Sequence, residues 1–129
     1  MATQSKFAQR VYLFAAIYGV IVLLPQYFLE SQLVPPTTYP EQFYGFVGLA
    51  LVWQFAFVLI SRDVLRYHML MPITVLEKLA FGVPAWILYL QDRAPLEVVA
   101  VGSIDLLLGG LFMISFFKVR ANLAGQRKN

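Results

Sequence analysis

Four apolar stretches, at residues 9–29, 43–61, 70–90 and 96–117, are separated by polar breaks. Each approaches the roughly 20 residues that an α-helix needs to cross the hydrocarbon core of a bilayer. A chain of 129 residues that is 60% hydrophobic and 13% charged cannot hide so much apolar surface in a water-soluble fold, because a small domain leaves much of its surface exposed. The expected fold is therefore all-α, a four-transmembrane-helix bundle forming a single integral membrane domain over residues 1–129. Lys6 and Arg10 precede the first stretch as they would in a signal peptide. Its apolar run is too long for that, and no small-x-small cleavage site follows, so it reads as a retained helix.

The prolines fit these elements. Pro35, Pro36 and Pro40 prevent a helix from continuing between Leu33 and Pro40, so residues 30–42 are expected to form an ordered outer loop. Pro72 suits the first turn of the third helix. Pro25 and Pro84 fall inside helices, where each is expected to kink the helix and to free the carbonyl four residues back, on Ile21 and Ala80. Orientation follows from the basic residues. Lys6, Arg10, Arg62, Arg66, Lys118, Arg120, Arg127 and Lys128 flank one side of the membrane, and Arg93 alone flanks the other. The positive-inside rule makes this an N-in/C-in protein.

Several function classes fall away on composition. Without cysteine there is no disulfide, thiolate metal site or cysteine nucleophile. A single histidine is too few for a metal cluster, so neither metal nor cofactor is expected. The net charge of +3 sits at the ends of apolar segments, which is a topological signal and excludes nucleic acid as a partner. His68, beside Arg66 and Tyr67, reads as a solvated boundary imidazole. Trp53 and Trp86 read as packing or interface residues, and the segment from Arg62 to Arg66 as a contact for lipid phosphates.

The chemistry-bearing candidates are charges inside the spans, since one charge at the bilayer centre costs about 2.5–3.5 kcal/mol even on insertion scales. Glu77 and Lys78 should lie about 11–13 Å from the cytoplasmic end of the third helix, and Asp105 about 18 Å from that end on the fourth. The lysine stem can span the difference, so Lys78 and Asp105 are expected to pair. Glu77 is expected to face elsewhere, because adjacent helical positions diverge by about 100°. Thr74, Lys78, Gly82 and Ala85 share one face of the third helix, and Gly102, Asp105 and Gly109 share one face of the fourth. Small residues there allow close packing. Tyr12, Ala16, Gly19 and Gln26 form a stripe on the first helix, and Gln54 on the second lies near the depth of Glu77. Glu77, Lys78, Asp105, Gln54, Tyr12 and Gln26 are thus the candidates for a ligand-binding site or a buried polar network. No residue is assigned as catalytic.

Tyr44 to Gly48, Leu76 to Gly82 and Ile104 to Gly110 resemble, in hydropathy and spacing, the small four-helix bacterial membrane proteins called DoxX-like. The resemblance implies the fold and a bacterial cytoplasmic (inner) membrane. The chain is also similar in outline to sterol-isomerase-like four-helix domains, though no catalytic pattern transfers. It departs from small multidrug transporters, which carry a coupling carboxylate in the first helix, and Lys78 with Asp105 is only a chemical echo of a retinal lysine and its counter-ion. The functions in view are binding of a lipid-like or hydrophobic small molecule, a structural or accessory membrane role, proton-coupled transport, and lipid isomerisation. Expected partners are membrane lipids, a hydrophobic small molecule, and a second copy or another membrane protein.

Overall fold

The computed structural model describes residues 4–33 and 36–129. It contains four long helices: α1 Lys6–Leu29, α2 Pro40–Arg62, α3 Met71–Leu90 and α4 Leu96–Arg127. All four are long and apolar enough to cross a membrane, and the described residues contain no strand. The chain is a four-helix transmembrane bundle.

The helix ends differ from the hydropathy limits for local reasons. α1 starts at Lys6 because Ser5 caps it, its Oγ accepting from the Ala8 amide at 3.3 Å. α2 starts at Pro40, whose fixed φ and missing N–H suit a first turn. α4 continues to Arg127 instead of stopping at 117, because loss of hydropathy ends the apolar span without ending helix propensity. α1 and α3 both run through their internal prolines, Pro25 and Pro84.

The turns are tied down. α3 ends in a Schellman motif, with the Arg93 amide donating to the Leu88 carbonyl at 2.8 Å and the Asp92 amide to Tyr89 at 3.0 Å. Asp92 takes the left-handed conformation this motif needs, at φ 55°. In the expected outer loop, Val34 and Pro35 lie outside the described residues. Around them, the Thr37 hydroxyl donates to Glu30, and the Tyr44 hydroxyl donates to the same carboxylate at 3.2 Å. At the opposite end Gln4 clamps the α2–α3 turn: its Nε2 donates to Asp63 at 2.9 Å, and its Oε1 accepts from the Val64 amide at 3.1 Å.

Packing is extensive within two hairpins, α1 with α2 and α3 with α4, and the hairpins meet mainly through α1 and α4. The core occupies the half nearest the termini. There Tyr12 stacks on Phe112 with ring centres 4.2 Å apart, and Phe57 meets the same ring edge-on at 5.1 Å. Ala8, Ile60, Met71 and Val119 complete this layer, all fully buried. Tyr12 also bridges α1 to α3 through Thr74 at 2.8 Å. The Thr74 hydroxyl already donates to the Met71 carbonyl, so Tyr12 is the donor. Toward the other end the hairpins separate, because α2 and α3 share no comparable seam.

Candidate ligand cavity

Glycines set the geometry of the site. On α1, a Cβ added at Gly19 would overlap the Gln54 amide, so only glycine lets that side chain lie flat between α1 and α2. A Cβ at Gly82 would come within 2.9 Å of the Gly102 carbonyl and 2.6 Å of Leu106, and one at Gly102 within 2.7 Å of Ala85. The α3 and α4 backbones are therefore as close as the small-residue faces suggested. Further in, a Cβ at Gly109 would lie 3.3 Å from that of Lys78, so the lysine stem runs over bare α4 backbone.

Lys78, 4% exposed, ends between two acids. Its Nζ lies 3.3 Å from Asp105 Oδ1, which is the expected pair, and 3.5 Å from Glu77 Oε2. The second contact overturns the expectation that Glu77 faces away. Angular divergence applies to Cβ directions, and a flexible four-carbon stem can still return its head to a neighbouring carboxylate. The ammonium also sits 5.2 Å from the centre of the Phe57 ring, on the apolar layer below.

These groups form the floor of a cavity of about 480 Å³ bounded by all four helices. Gln54, Glu77, Lys78 and Asp105 meet there. Gln26 lines the same space, but its Nε2 donates back to the Val22 carbonyl at 2.9 Å. Tyr12 is not part of the cavity and belongs to the packed layer beneath it. The walls are apolar and aromatic, with Leu23, Phe46, Trp53 and Phe81 among them. Phe46 and Phe81 touch across α2 and α3, ring centres 5.6 Å apart.

Sequence reading missed most of the lining, Tyr18, Trp53 and Glu97 among it. Tyr18 and Glu97 carry no helix-face signal of their own, and Trp53 looks like any packing aromatic until the hairpins are seen to part beside it. Trp86 lies elsewhere and donates to Ser103 at 3.0 Å, joining α3 to α4. His68 donates from Nδ1 to the Leu65 carbonyl at 2.6 Å and borders a second, basic hollow with Arg120, Arg127 and Lys128, created by the extension of α4. The described residues contain no group of His, Asp and Glu arranged to hold a metal ion.

A polar floor under apolar walls can fix the head of an amphiphile while its tail lies along the helices. The same floor can also act purely as interhelical glue. No family model, curated protein or solved structure matches this chain, so its chemistry is read from this geometry.

Proposed function

We propose that this multi-pass protein lies in a bacterial cytoplasmic membrane with both termini inside and binds a lipid-like or hydrophobic small molecule in the cavity between its hairpins. The observation that carries the proposal is the cavity itself, about 480 Å³ with Gln54, Glu77, Lys78 and Asp105 at its floor. That volume lies within the range typical of small-molecule sites, and an amphiphile matches its polar floor and apolar walls. The DoxX-like resemblance adds a fold to this reading and no chemistry. The competing reading, a structural network, is favoured by the Lys78 ammonium being met by two carboxylates of the chain itself.

Native mass spectrometry of protein extracted in mild detergent separates the two. Wild type is expected to carry one amphiphile per chain, and Ala50→Phe, which fills the cavity from the α2 wall, to lose it while keeping its helical content. Equal lipid retention by both proteins, or none by either, would favour the structural network.

A further inference from the structure

The cavity is lopsided in charge. Its lining holds three carboxylates, Glu77, Glu97 and Asp105, against the single ammonium of Lys78. That ammonium is already engaged, 3.3 Å from Asp105 and 3.5 Å from Glu77.

Hydrogen bonding is lopsided in the same sense. Gln54 is 2% exposed, and its Nε2 donates to the Ala50 carbonyl at 2.8 Å. Only the nitrogen can donate to a carbonyl, so the amide orientation is fixed and the atom without a partner is the acceptor Oε1. Glu77 Oε2 has the Lys78 ammonium 3.5 Å away but accepts no hydrogen bond, so it too can take a further donor. Ala80, whose carbonyl loses its helical donor to Pro84, lines the same space. The uncommitted donors in the lining, namely the Tyr18 hydroxyl, the Trp53 indole and the second amide N–H of Gln26 and of Gln54, are neutral.

A buried acceptor left unmatched is costly, and so is a second anion brought beside carboxylates in a low-dielectric site. A protonated amine removes both costs, because it brings positive charge and up to three donors. Tyr18, Trp53 and Phe81 also bring aromatic rings to the lining, which suit a cation better than an anion.

Building on the binding role proposed above, we infer that the cavity selects by head-group charge, accepting amphiphiles that bear a protonated amine and rejecting those with a carboxylate or phosphate. Specificity of this kind comes as much from repulsion of the wrong ligand as from attraction of the right one.

The test uses the full chain in phosphatidylcholine nanodiscs at neutral pH. Trp53 and Trp86 are the chain's two tryptophans, so Trp86→Phe leaves emission that reports on Trp53 in the cavity wall. Dodecylamine, dodecanol and dodecanoate are titrated in turn. The expected result is saturable binding of dodecylamine at least tenfold tighter than dodecanoate, with dodecanol between them. Glu77→Gln is expected to weaken the amine several-fold. Glu97→Gln, at an exposed position about 12 Å along α4 from Asp105, is expected to weaken it less and without endangering the fold. Dodecanoate binding as tightly as the amine would overturn the selectivity and leave the binding role standing. No saturable response to any of the three would overturn both.

Discussion

At the residue scale, the Lys78 pairing was legible in the sequence and the full cluster was not. A lone charge in hydrocarbon demands a counter-charge, which pointed from Lys78 to Asp105. The contact with Glu77 depends on the path of a flexible stem, and face periodicity does not encode that path. The trio also predicts an asymmetry. Lys78→Met strands two carboxylates, whereas Asp105→Leu leaves the lysine with Glu77. Lys78→Met should therefore be the more destabilising, by no more than about 3 kcal/mol, because side-chain exposures of 17% and 14% let the stranded acids hydrate or protonate. Equal losses in thermal unfolding in detergent would argue that Glu77 does not share the charge. The Lys78→Met, Asp105→Leu double mutant should recover only part of the loss, since Glu77 then has no partner. Outside the membrane, hydrogen bonds from the Gln4 side chain and then from the Arg66 amide hold Asp63 below its ordinary carboxylate range. A lowered folded-state value means the contribution is present above the unfolded value and fades as pH falls through the folded one. Unfolding scans across the acidic range should show this loss in wild type and a smaller one in Gln4→Ala. Identical pH profiles would remove the clamp as a source of stability.

At the element scale, hydropathy located every span, because about 20 apolar residues in a row have few other uses. It misplaced ends wherever something other than hydropathy decides them, as with the Ser5 cap, Pro40 at an N-terminus, and the polar but helical continuation to Arg127. The α3–α4 turn carried no glycine to announce it, yet Asp92 occupies the left-handed position where glycine is favoured. An aspartate there carries some backbone strain and places negative charge at a helix C-terminus. Asp92→Gly should therefore stabilise the protein by roughly 0.5–1 kcal/mol, and Asp92→Val should destabilise it by at least as much. Melting temperatures of the two variants provide the check. A loss on going to glycine would mean that the aspartate side chain contributes more to the turn than its backbone costs.

For the whole molecule, the bundle was readable from composition and the cavity was not. A cavity depends on where two hairpins part, and that depends on pairwise packing that no single helix pattern contains. The close α3–α4 contact at Gly82 and Gly102 holds one hairpin together, while the absence of a matching α2–α3 seam leaves room beside it. Because the chain lacks native cysteine, single cysteines can report topology directly. Thiol labelling from outside intact cells should reach Thr38→Cys and fail to reach Ser5→Cys or Gln126→Cys. Labelling at the termini with none at residue 38 would invert the proposed orientation. A structure determined in a lipidic mesophase tests most directly whether the charged floor holds the head group of an amphiphile. The expected result is an elongated molecule between the hairpins, its head within hydrogen-bond distance of Glu77 or Asp105 and its tail against Phe46, Trp53 and Phe81. A cavity closed by its own side chains, or filled only with water above an intact Lys78–Asp105 pair, would contradict the claim.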